Sequence, residues 1–74
     1  MTISEQHEIA EAATAVLAQS PVADLRRLRV DEASNQLQLT GQVRSFYHKQ
    51  LAQETVRTVA AGMKVVNQVD VRDN

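Results

Sequence analysis

From Leu51 to Met63 the side chains Leu51, Ala52, Thr55, Val56, Val59, Ala60 and Met63 recur along one stripe, the spacing of one helical face. On both sides of that stripe the period changes to two. Before it, Leu37, Leu39, Gly41 and Val43 alternate with Gln38, Thr40, Gln42 and Arg44, and after it the alternation resumes through Met63, Val65, Val69 and Val71. Two strands joined through a helix in one sheet run parallel, because the crossover carries the chain back to the end of the sheet where the first strand began. This one pattern therefore excludes a simple meander and predicts a mixed or parallel sheet with a helix on its face.

The rest of the chain fits around that unit. Ile9, Ala13, Val16 and Leu17 form a helical face within residues 3–19, with Ser4 or Thr2 as its cap and Thr2 with Glu5 in a capping-box spacing. Ser20 and Pro21 end this helix, since Pro21 disfavours a helical residue before it. A short connector then leads to a strand over about residues 25–32, with Leu28 and Val30 on one side and Arg27 and Arg29 on the other. "DEASNQ" joins it to the next strand through a loop several residues long, with Asn35 suited to a left-handed conformation. Ser45 is placed to cap the second helix and Gly62 to end it as the left-handed residue after its last turn. The predicted architecture is α+β, in the order α-β-β-α-β, with a three-stranded mixed sheet and two helices packed on one face. The first strand can lie at an edge or between the other two.

Seventy-four residues allow one domain over 1–74 and a core that needs most of the apolar side chains for packing. No cysteine is present, so disulfides, thiolate metal sites and a cysteine nucleophile are excluded. No run reaches the roughly 18 apolar residues of a membrane span, and "MTISEQHEIAEAA" lacks the basic and apolar regions of a leader. A chain complete as written is expected in the cytoplasm, and one excised from an exported protein in the periplasm or cell envelope. Charge is uneven: residues 1–24 carry Glu5, Glu8, Glu11 and Asp24 and no Lys or Arg, a balance of −4, and the remainder carries all eight basic residues for a balance of +3. Such asymmetry steers an anionic partner toward one face.

"LRVDEASNQLQLTGQVRS" followed by "LAQETVRTVAAGMKVVNQVDV" resembles a BON domain, the bacterial module named after an osmotically inducible protein and nodulation proteins. The matching residues are Leu37, Leu39, Gly41 and Val43, then Ala52 with Val56, then Gly62, Met63, Val66, Asn67, Val69 and Val71, within about residues 5–72. The resemblance implies a non-enzymatic binding module, often attached to other domains in envelope, secretin-like and stress-induced periplasmic proteins, and proposed to contact phospholipid. The family defines no single lipid-binding motif, so no binding residue carries over by position. This chain departs from the family's pattern with Ser34 and Asn35 at the hairpin turn, and with Phe46 and Tyr47 where polar residues usually open the second helix.

The candidate surface follows from charge and from that departure. Strand parity puts Arg27, Arg29, Arg44, Lys64 and Arg72 on the solvent face of the sheet against Asp31 and Asp70, an excess of three positive charges. That face suits anionic lipid headgroups, or else is a solvated face with Arg/Asp pairs. Phe46 and Tyr47 lie off the apolar stripe among Arg44, His48 and Lys49. They read as an interfacial anchor, as a protein interface, or as local cover, with Tyr47 on Leu51 and Phe46 over the hairpin. Gly41, Ser45, Ala52 and Gly62 read as structural, Gly41 on the inward side where the second helix comes close. His7 with Glu11 makes an ordinary helix pair and His48 a boundary residue. Neither belongs to a ligand cluster or a nucleophile-base set, so no metal, no cofactor and no enzymatic activity is expected. The element order is also close to that of KH-type RNA binders, but their G-x-x-G loop and strand aromatics are missing, which argues against nucleic acid. The partners expected are anionic lipid headgroups or another protein, the oligomeric state being open.

Overall fold

The computed structural model describes residues 3–72, with side chains from residue 5. The chain forms α1 (Ile3–Ala18), α2 (Ala23–Arg26), β1 (Arg29–Ala33), β2 (Gln36–Thr40), β3 (Gln42–Val43), α3 (Phe46–Arg57), β4 (Lys64–Asn67) and β5 (Asp70–Val71). Sheet order is β1-β2-β4, with β3 paired to β5. β1 runs antiparallel to β2, and β2 parallel to β4, as the periodicity requires. The second strand of the hairpin is central and the first lies at an edge. Thr2 and the side chain of Ser4, the expected caps of α1, lie outside the described residues.

One face of the sheet is apolar and carries both long helices. Leu37 and Leu39 are fully buried between half-exposed Gln36, Gln38 and Thr40, and they meet Ala13 and Leu17 of α1 and Ala52 and Val56 of α3 in one core. Each such leucine contributes about 1.5–3 kcal/mol relative to exposure. Ile9 and Val16 on α1 and Leu51 and Val59 on the α3 side are half-buried along the seam between the helices.

The structure corrects three local expectations. The residues before β1 are not strand from Leu25. Ser20 Oγ accepts the Val22 N–H at 3.1 Å, α2 forms, and Leu28 N–H donates to the Leu25 carbonyl at 3.2 Å, so Arg27 sits at the end of α2. The hairpin has a tight turn, because Ala33 pairs with Gln36 and both Ser34 (φ 51) and Asn35 (φ 63) are left-handed, the form that matches strand twist. Gln6 of α1 donates to the Asn35 side-chain oxygen and ties that turn to the helix. Gly62 does not end α3. The helix stops at Thr58, and Ala61 (φ 52) and Gly62 (φ 85) form a separate turn closed by Met63 N–H to Ala60 O at 3.0 Å.

Gly41 is the fourth correction. It is exposed with φ +131, and the close approach is made by Leu28, not by the second helix: a Cβ there would stand 2.7 Å from Leu28 Cδ2 and 3.5 Å from Leu28 Cα. Leu28 crosses the chain at this point on its way into β1. The bend separates β2 from β3, yet register is unbroken: Gln36 pairs with Lys64 and Val43 with Val71, the same offset throughout. Gln68, Asp70 and Arg72 donate in turn to the carbonyls of Leu39, Gly41 and Val43 at 2.9, 2.9 and 2.7 Å. Both parallel strands therefore bend together.

Gly41→Ala should lose on the order of 2–3 kcal/mol in urea unfolding, because strain at φ +131 and the clash with Leu28 add. Gly62→Ala has open space around its Cβ and should lose only about 1 kcal/mol. Equal losses at the two sites would refute the crossing as the reason for Gly41.

Candidate functional site

The five cations expected on one sheet face divide into two groups. Arg29 and Lys64 lie on the outer face of the three-stranded sheet, opposite Thr40 and Gln36 in register. Arg29 is paired along its own strand with Asp31, Nε to Oδ2 at 3.2 Å. Arg27, Arg44 and Arg72 gather instead at the far end of the domain, around an open depression of about 560 Å³ lined also by Asp24 and Gly41–Val43. Three different elements supply them. Arg27 ends α2, Arg44 follows β3, and Arg72 follows β5 at the register position beside Arg44.

Asp24 organises that end. Its carboxylate accepts the Arg44 backbone N–H at 2.7 Å and faces His48 Nδ1 at 3.2 Å, with Arg44 Nε at 3.8 Å. The Asp24 side chain is 13% exposed, that of Arg44 83%. The Arg44 amide holds the Asp24 carboxyl below its ordinary range; partial burial opposes this, and the His48 hydrogen bond and the Arg44 charge reinforce it. Asp24 is thus occupied with the backbone and with His48. Among the described residues Arg27 and Arg72 have no carboxylate partner.

Ser45 caps α3 as the spacing predicts, its Oγ accepting the His48 N–H at 3.1 Å. That cap fixes Phe46 and Tyr47 as the first two helical residues, and both project outward, 68% and 70% exposed. Neither enters the core. The Tyr47 ring lies against His48, centroids 5.8 Å apart, so the aromatic pair adjoins the Asp24 bracket. The first turn of α3 has no acidic residue of its own, and the carboxylate at the positive end of its dipole is that of Asp24. Lys49 is half-buried, away from the depression, and its carbonyl accepts Asn67 Nδ2 at 2.8 Å.

Asp24 and Asn67 were not singled out as organising residues by sequence reasoning. Asn67 donates to Lys49 and Gln53 of α3 and accepts the Val69 N–H at 3.2 Å, which joins β4, β5 and α3. Its presence in the matched motif was the available signal. For Asp24 there was none, since its partners lie about twenty residues away. Among the described residues no cluster of His, Asp and Glu has the make-up of a metal site, and no helix is long and apolar enough to cross a membrane.

A small sheet is thus covered by helices on one face and carries an open basic end with exposed aromatics. The BON domain family model matches residues 5–73, and the chain belongs to the BON domain family, a family of non-catalytic binding domains. Comparison with curated proteins gives no match.

A carboxyl with a lower pKa in the folded chain than in the unfolded one stabilises above the unfolded value, near ~4, and that contribution is lost as pH falls through the folded value. Stability of the native chain should therefore fall as pH drops from about 5 into the acid range. Asp24→Asn should fall less over that range, as read from urea midpoints. Parallel curves for the two proteins would remove the acid sensitivity from Asp24.

Proposed function

We propose that the domain binds anionic phospholipid surfaces, without catalysis, through the end that carries Arg27, Arg44, Arg72, Phe46 and Tyr47. The observation that supports this best is the exposure of the aromatic pair at the end of the domain where Arg27 and Arg72 have no carboxylate partner among the described residues. Aromatic side chains at headgroup depth with flanking cations are the pattern of interfacial anchors. Each arginine near an anionic surface adds about 1 kcal/mol, and an aromatic ring leaving water adds about 1.5–3 kcal/mol. A chain with net charge −1 depends on this local concentration of positive charge. Arg29, held by Asp31, and Lys64, on the outer sheet face, lie outside the contact surface.

Co-sedimentation with vesicles tests the proposal. Binding should appear with vesicles containing phosphatidylglycerol at low salt, weaken at high salt, and be absent with neutral phosphatidylcholine. Arg27→Gln and Arg72→Gln should each weaken it about 5-fold. Phe46→Ala should weaken it about 10-fold or more, with the unfolding midpoint unchanged because the ring is exposed. No binding to anionic vesicles at low salt would overturn the assignment.

A further inference from the structure

In the order β1-β2-β4, with β5 continuing β4 past the bend, the segment Lys64–Val71 has a hydrogen-bonded neighbour on one side. Gln68, Asp70 and Arg72 donate toward β2 and β3, so strand alternation turns the peptide groups of Val65, Asn67, Val69 and Val71 to the open side. Of these, the Val69 N–H is already held by the Asn67 side chain.

Sheet edges are normally guarded against pairing by inward-pointing charge, proline or a bulge. β1 has such a guard: Glu32 occupies an inward position, and Arg29 and Asp31 pair on the outer face. Lys64–Val71 has no inward-pointing charge, and its one interruption is the bend between β4 and β5. It contains no proline, its inward positions are Val65, Asn67 and Val69, and its two charges, Lys64 and Asp70, have no ion-pair partner among the described residues.

We infer that the Lys64–Val71 edge pairs antiparallel with the same edge of a second copy, about a two-fold axis through Asn67. In that register Lys64 stands opposite Asp70 of the second copy, and Asp70 opposite its Lys64. Val65 meets Val69, joined by the Val65 N–H to the Val69 carbonyl because the Val69 N–H stays with Asn67; Val66 meets Gln68, and the exposed Val71 meets Met63. The charged pairs occupy the non-hydrogen-bonded positions, where cross-strand side chains are closest. Neighbouring registers lose this match. An axis through Val66 puts Lys64 opposite Gln68, and one through Gln68 puts Lys64 opposite Arg72. Charge therefore selects one register, and the two-fold symmetry closes the assembly as a dimer.

The test is solution mass by light scattering and sedimentation over a range of protein concentration, without vesicles. The native chain should show a monomer–dimer equilibrium. Lys64→Asp alone and Asp70→Lys alone should each weaken it about 10-fold, and the two together should restore it, because the pairs are then exchanged. Val66→Cys with Gln68→Cys, in a chain with no cysteine of its own, should form a covalent dimer under mild oxidation. A monomer at every soluble concentration overturns the inference. So does a dimer indifferent to both charge reversals, which would place the interface elsewhere. Vesicle binding by the monomeric variants is a separate readout, so this inference and the lipid proposal fail independently.

Discussion

Leu28 passing over Gly41 is the constraint from which the far end of the domain takes its form. A side chain at position 41 would occupy the space of Leu28 Cδ2, and the backbone there has φ +131, so glycine is favoured where the Leu28 side chain comes close. The crossing ends the pairing of β1 with β2 at Arg29 and Thr40, while the parallel pair continues alone through β3 and β5. Arg27 immediately precedes the crossing on one segment. Arg44 lies three residues beyond it on the other, and Arg72 is carried alongside by the unbroken register. Three arginines far apart in sequence thus reach one place, beside the glycine that Leu28 passes.

Cations gathered in this way repel one another, and Asp24 meets part of that cost without neutralising the surface. Its carboxylate is largely withdrawn from water, and its shortest hydrogen bond goes to the Arg44 amide, not to a guanidinium. A charge-assisted bond to a backbone donor is among the stronger interactions available to a carboxylate. Here it fixes α2 against the start of α3, and His48 completes the bracket at 3.2 Å. The arginine side chains remain outward. Ser45 then sets the first residue of α3, so the same few hydrogen bonds that hold the elements together also determine that Phe46 and Tyr47 face solvent.

Periodicity carried the architecture because it reports which face is buried. Leu37, Leu39, Ala52 and Val56 alternate or recur as they do because they share one core, and they occupy it here. Parallel pairing of β2 with β4 followed from the intervening helix. Local conformation was less legible where two weak preferences compete. Arg27-Leu28-Arg29-Val30 alternates like a strand over its whole length, but Ser20 and Leu25 supply hydrogen bonds that close α2 first. The same shift removed Arg27 from the sheet face. Gly41 was recognisable as a position needing space, but the neighbour requiring it was not, because Leu28 reaches it only through that unforeseen turn. Asp24 left no trace in the sequence, since a single acidic residue gains meaning only from the long-range contacts it makes.

The two surfaces lie at different places on the domain, and their geometry limits how they work together. Arg44 and Arg72 follow the carboxyl ends of β3 and β5, with Arg27 beside them at the end of α2, whereas the open edge runs along β4 and β5 with its centre at Asn67. Antiparallel pairing about Asn67 sends the two Arg72 residues in opposite directions. With a rise of roughly 3.3 Å per residue they end on the order of 30 Å apart, at opposite ends of the joined sheet. A flat surface meeting one basic end squarely is then turned away from the other. Self-pairing would give each copy no second grip on the same patch of membrane. It would present one basic end in each direction, so that, under the proposed lipid binding, the two ends meet separate anionic surfaces and do not strengthen attachment to one.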